Sequence, residues 1–320
     1  MRSILIWGTG LRIIPMPFST ENNWNEKYMK AKGASNKAFY KRKRYIFLFL
    51  LLIALVLPHI FMTFRSSDRE TRAYFKELHT DIKIDYFKSK ATDRDIRVVA
   101  TGFDKDQSVI FIHGSPGSGN AFYRYLNNDS LHQKANIITY DRPGYGYSGF
   151  GDAVTEITTQ SEVVAELIAQ YNLTNVVLVG HSYGGTIAAY APLLSKDIKA
   201  TLLIAPALDP DLEKYYWAGN FTQWQITRWL IPTSWNVSGD EKYSHAEALI
   251  KHVNEWQLVS VPVLMLQGDQ DMLVPYENLE FAESHFNPEY FTGKTLKGEN
   301  HFTPWTKEKL VIENILTLMN

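Results

Sequence analysis

Three residue types, met in one order along the chain, could together carry out nucleophilic chemistry. Ser182 sits in Gly180-His181-Ser182-Tyr183-Gly184, a G-x-S-x-G pattern. A serine hydroxyl is a weak nucleophile at neutral pH, so it needs a base to take its proton and an acid to orient that base. Downstream, Gly268-Asp269-Gln270-Asp271-Met272-Leu273-Val274-Pro275 offers two carboxylates, and Gly298-Glu299-Asn300-His301-Phe302 offers an imidazole. The chemistry implied is attack on a carbonyl carbon with a histidine shuttling the proton. Thiolate catalysis, disulfides and cysteine-bound zinc are excluded, because the chain has no cysteine. His245 and His252 have no metal-like spacing to any partner, and the chemistry implied calls for no metal or cofactor.

The elements around these residues must place them. Residues 176–180 are a short β-branched apolar run, which suits a fully buried strand, and residues 186–191 are helix-compatible up to Pro192. Strand, G-x-S-x-G and helix are the context of a nucleophile elbow, a tight turn that lifts one serine clear of a sheet. Gly180 and Gly184 remove the Cβ atoms that would collide across such a turn. The two acids follow an apolar strand at 261–266, and His301 precedes an amphipathic closing helix at 307–319. Further strands are expected at 81–88, 96–101, 108–112, 136–139, 200–204 and 291–296. The first two alternate polar with apolar residues, as half-buried antiparallel strands do. Helices are expected at 66–80, 161–171 and 277–286. Strands alternating with helices imply an α/β fold with a mostly parallel sheet and helices on both faces. Residues 208–257 break the alternation with nine Trp, Tyr and Phe residues and no buried strand. This insertion reads as a small helical cap whose aromatics line an apolar pocket, fasten the cap to the core or dip into a membrane surface.

At this point the chain from about residue 80 to its end resembles the α/β-hydrolase fold family, of the serine-nucleophile, capped type. His113-Gly114-Ser115-Pro116 is similar to that family's oxyanion loop, and Asp141-Arg142-Pro143-Gly144-Tyr145-Gly146-Tyr147-Ser148 to its D-x-x-G-x-G-x-S turn. The acid segment is similar to G-x-x-D-x-x-V-P, which puts the family's acid on Asp271 and leaves Asp269 as a solvated loop acid. His301 falls where the family's histidine falls, although Asn300 stands where glycine is more usual. The resemblance implies Ser182 as nucleophile, His301 as base and Asp271 as orienter, with the backbone N–H groups of Ser115 and Tyr183 as the oxyanion hole. It implies a hydrolase acting through an acyl-enzyme on a small-molecule or lipid-like ester, with thioesters and amides next. His113 is expected to anchor its loop, His181 to fill space behind the nucleophile, and Asp141 and Arg142 to tie turns together. The reading from another class is a binding or signalling protein that keeps the fold without turnover.

A near-neutral net charge of −1 supplies no bias toward nucleic acid. The targeting feature lies near the N-terminus. Residues 45–64 are apolar but for Pro58, His59 and Thr63, about the 20 residues that a membrane-crossing helix needs. Lys41-Arg42-Lys43-Arg44 precede them, and residues 1–44 carry ten Lys or Arg against two Glu. By the positive-inside rule the N-terminus is expected in the cytoplasm and the domain of residues 65–320 outside. A cleaved signal peptide, leaving a secreted protein, is the competing reading. Residues 1–28 have no periodic pattern, so Met29 is read as the true start or the first segment as disordered. Asn128, Asn172, Asn220 and Asn236 each begin an N-x-S/T triplet, which matters only in a glycosylating compartment.

Overall fold

A computed structural model describes residues 21–320, and the chain divides into two compact units, one ending at Val56 and the other running Leu57–Asn320. Expectations for residues 1–20 lie outside the described residues, whereas residues 21–44 are helical. They begin α1 (Glu21–Phe61), whose stretch Tyr40–Phe61 is 22 residues long and apolar enough to cross a membrane. At 1.5 Å per residue such a stretch spans about 33 Å, slightly more than the hydrocarbon thickness of a bilayer. The span expected at 45–64 ends three residues sooner than its composition implies. The reason is local: Phe64 takes a left-handed φ of 55°, which turns the chain out of the helix. The carbonyls of Met62 and Phe64 then accept side-chain donors from Ser234 and Asn120.

The second unit is built on one eight-stranded sheet in the order β1-β2-β4-β3-β5-β6-β7-β8. Its strands are β1 (Lys83–Ser89), β2 (Arg94–Ala100), β3 (Ser108–Ile112), β4 (Asn136–Tyr140), β5 (Val176–His181), β6 (Ile198–Ile204), β7 (Val263–Gly268) and β8 (Phe291–Leu296). Only β2 runs against its neighbours, so the sheet is mostly parallel. β1 is half-exposed as its alternation implies, but β2 is buried from Ile96 to Ala100. It lies between β1 and β4 with both faces covered, so even its polar Arg97 is buried.

Side chains that alternate along the strands feed two cores. Ile110, Ile112 and Leu178 pack on one face against α3 (Ile157–Gln170), α4 (Tyr183–Tyr190) and α6 (Asn278–His285). Val109, Phe111, Val177 and Val179 pack on the other against α7 (Glu308–Met319), Phe122 and Tyr125. A buried parallel strand needs apolar residues at every position for this reason. α2 (Asp68–Glu77) starts on a capping box between Ser67 and Glu70 and buries Phe75 in the second core.

Between β6 and β7 the insertion forms short helical turns followed by α5 (Thr233–His252), with no strand among them. Its aromatics divide three ways. Trp256 is buried in the core, edge-on to Tyr190 and stacked on Phe286. Tyr215, Tyr216, Trp235 and Tyr243 line a cavity, whereas Trp217, Trp224 and Trp229 stand exposed.

Candidate active site

The G-x-S-x-G turn falls between β5 and α4, and α4 starts at Tyr183, three residues earlier than the apolar pattern implies. Ser182 holds φ 55° and ψ −125°, which a side chain with a Cβ rarely adopts. Such a conformation costs on the order of 1–3 kcal/mol and persists only where its surroundings over-determine it. The glycines supply the room: a Cβ on Gly180 would strike the Gly184 carbonyl, and one on Gly184 would strike the carbonyls of Ile112 and His113. The Ser182 amide still reaches the Ile204 carbonyl at 3.0 Å, which pins the turn to β6. The side chain thus stands past the C-terminal end of a central strand, where open α/β sheets bind ligands.

Asp271 and His301 come together from loops after β7 and β8. His301 Nδ1 lies 2.7 Å from Asp271 Oδ2, and both side chains are buried. An ionised carboxylate only accepts, so Nδ1–H donates, which leaves Nε2 as the imidazole's acceptor. The other carboxylate oxygen, Oδ1, accepts the amides of Leu273 and Val274 at 2.9 Å each. Burial alone would raise the Asp271 pKa, but the His301 hydrogen bond, its charge and those two amides outweigh it, and the carboxyl is held below its usual range. Asp269, the other acid in the segment, is exposed and accepts the Gly298 amide at 2.7 Å. The structure therefore pairs His301 with Asp271 and not with Asp269.

Neighbouring histidines serve the frame. His181 Nε2–H donates to the His301 carbonyl at 2.9 Å, and its ring packs on His301 and edge-on to Trp305. Burial, then the His301 charge, lowers the His181 pKa to about 3, so the ring is neutral. His113 Nδ1–H donates to the Gly114 carbonyl at 2.7 Å while its Nε2 accepts the Arg142 amide at 3.0 Å. Both ring nitrogens are therefore engaged within the frame, and burial holds the ring's pKa well below the usual histidine value. Among the described residues no group of His, Asp and Glu side chains converges as a metal site would require.

Arg142 ties the turns together as expected, but with a partner that sequence reasoning passed over. Its guanidinium pairs with Glu241 of α5, at 2.5 and 3.1 Å, and both side chains are fully buried. Glu241 also accepts from Tyr145 Oη at 2.7 Å, and that hydroxyl lies 2.8 Å from Ser115 Oγ. Arg142 further donates to the carbonyls of His113 and Gly114. The loop that carries Ser115 is thereby bolted to the cap. A charged residue in a helical stretch ordinarily reads as solvated, and nothing near Glu241 in the chain points to a partner 99 positions away.

Ser115, Ser182, Tyr183 and His301 all border one cavity of about 590 Å³, which residues of the cap also line. Most of its wall is apolar; Glu213, Lys242 and His245 supply polar groups on one side. Tyr183 is the first residue of α4, so its N–H has no acceptor within the helix. A second, polar cleft of about 320 Å³ lies at the opposite end of the sheet, beside the start of β4, and holds none of these residues.

A family model described as the alpha/beta hydrolase fold matches residues 107–239. The chain is 28% identical over 193 residues to the 1-acylglycerol-3-phosphate O-acyltransferase of Arabidopsis thaliana, covering 51% of this chain and 45% of that protein. It is 28% identical over 117 residues to a Mycoplasma pneumoniae protein named as an esterase/lipase, covering 34% of this chain and 40% of the relative. The chain thus spans less than half the length of these curated relatives. The solved structure of an esterase from Exiguobacterium antarcticum superposes with a TM-score of 0.57 at 20% identity, over 73% of this chain and 98% of that one. With the mostly parallel eight-stranded sheet, the strand–serine–helix turn and these matches, the chain has the α/β-hydrolase fold.

Proposed function

We propose that this chain is a membrane-anchored serine hydrolase that cleaves carboxylic esters with apolar groups through an acyl-enzyme. The observation that carries the reading is that Ser182 and His301, the latter bonded to Asp271, border a single largely apolar cavity. In this mechanism Ser182 Oγ attacks the ester carbonyl, and His301 Nε2 takes the hydroxyl proton. Asp271 holds Nδ1–H and stabilises the imidazolium that results. The developing oxyanion is met by the backbone N–H groups of Ser115 and Tyr183. The tetrahedral intermediate collapses as His301 returns the proton to the leaving alkoxide, and a water activated by the same imidazole then frees the acid. The esterase/lipase relative favours water as that acceptor. The acyltransferase relative favours another alcohol, and product analysis with and without added alcohol separates the two.

In the same reading, residues 40–61 anchor the chain in a bilayer with the basic N-terminal segment in the cytoplasm. The hydrolase domain, with its cap at about 208–257, then lies outside. A fluorophosphonate probe tests the chemistry. Labelling of the full chain is expected, together with its loss in Ser182→Ala at unchanged circular dichroism. A folded wild type that takes no label would instead favour a binding or signalling role. Protease added to intact cells is expected to remove the C-terminal domain, and protection would reverse the orientation.

A further inference from the structure

We propose that the exposed aromatic ridge of the cap lies in the interface of the bilayer that holds the anchor, and that the cavity is loaded from that bilayer with membrane-borne acyl esters. The inference rests on the anchored-esterase reading and adds to it a docking face and a substrate class.

Met62 directly follows the apolar helix, so chain connectivity alone keeps it at the membrane surface. Met62 is also part of the cavity wall, and its carbonyl accepts from Ser234 at the start of α5. The next residues are equally tied down. Arg65 lies over the rings of Tyr147 and Phe150, at 4.1 and 4.7 Å from their centroids. No slack linker separates the end of the anchor from the cavity.

The mouth is apolar. Met62, Tyr215, Tyr216, Trp235 and Leu273 each border the cavity and are each more than a third exposed. Beside that rim Trp217, Trp224 and Trp229 are 77%, 57% and 68% exposed, and Ile226 is 85% exposed. Phe221 joins the first two, edge-on to Trp217 and to Trp224. Exposed tryptophans such as these, two of them joined through Phe221, are costly in water and favoured at the headgroup level of a bilayer, where an apolar ring with a polar N–H is best solvated. The bilayer is chosen over a soluble partner because a residue adjoining the apolar helix forms part of the same rim. An ester with a long acyl chain partitions into lipid, so a mouth at the lipid surface meets it at far higher concentration than one in water.

The full chain is placed in phosphatidylcholine vesicles, with and without brominated acyl chains, and compared with a Trp217→Ser, Trp224→Ser, Trp229→Ser variant. Bromine is expected to quench the wild type's tryptophan fluorescence, and most of that quenching should vanish in the variant. The variant should cleave a vesicle-borne long-chain p-nitrophenyl ester roughly tenfold more slowly. Its cleavage of soluble p-nitrophenyl butyrate should stay within about twofold, since none of the three borders the cavity. Equal quenching in both proteins overturns the docking, whatever covers the ridge instead. An equal fall on both esters overturns loading from the membrane and makes the ridge a support of the cap. Lost quenching in a chain that cleaves neither ester upholds the docking face and removes the esterase reading beneath it.

Discussion

At the scale of single residues, the pairing of His301 with Asp271 separates two acids that stand two positions apart. Asp271 is buried and meets the imidazole, while Asp269 is exposed and meets a backbone amide. In the proposed mechanism Asp271→Asn leaves the ring in the wrong tautomer, and kcat for ester hydrolysis is expected to fall about 10⁴-fold. Asp269→Asn is expected to cost less than about tenfold, since an exposed loop carboxylate influences the reaction only through geometry. Steady-state kinetics on one soluble ester measures both, and the reverse ranking would transfer the role to Asp269.

At the scale of elements, the cap is held by a charge pair whose partners come from distant parts of the chain. Arg142 follows β4 and Glu241 lies in α5, and between them they satisfy Tyr145, Gln160 and two loop carbonyls. Removing one member of a fully buried pair leaves the other charge without compensation. Glu241→Ala is therefore expected to destabilise the unit by about 3–5 kcal/mol, while Glu241→Gln, which keeps an acceptor for Tyr145, should cost less. Denaturant midpoints read both, and a loss below about 1 kcal/mol for the alanine variant would mean that water or another side chain takes the carboxylate's place. Ester turnover is expected to fall as well, because Tyr145 links Glu241 to the loop that carries Ser115.

For the molecule as a whole, two buried histidines set how stability follows pH. His181, lowered to about 3, and His113, lowered well below its ordinary value, are neutral when folded and take up protons near the ordinary pKa of about 6.5 when unfolded. Between these limits the unfolded chain binds more protons, so stability rises with pH and is lost as pH falls below about 6.5. Each such histidine contributes up to about 1.4 kcal/mol per pH unit in that window. Asp271 does not oppose this, since its depressed pKa confines its loss to pH values below the ordinary carboxylate range. Asp141, raised first by burial and lowered again in part by Arg97, acts in the opposite sense. The unfolding midpoint of the full chain in detergent is expected to drop clearly from pH 7 to pH 5. An unchanged midpoint would mean that these rings charge freely in the folded state.

The order of elements and the turn that carries Ser182 could be read along the chain, because each rests on short-range physics, whereas the choice of Asp271 over Asp269 came from the family resemblance. A short run rich in β-branched and aromatic residues such as 108–112 suits a buried strand, and Gly180 and Gly184 bracket Ser182 because a Cβ at either would strike backbone across so tight a turn. Other features needed the third dimension. That β2 is buried on both sides follows from its seat between β1 and β4, which no local pattern records. The end of the apolar helix at Phe61 is set by a left-handed residue and by acceptors on distant loops, whereas composition marks only where apolar residues stop. The cap aromatics look alike in the sequence, yet they divide among core, cavity and surface according to what each meets. The buried Arg142–Glu241 pair was invisible for the same reason, since a charge becomes structural only when a partner far away in the chain is folded against it.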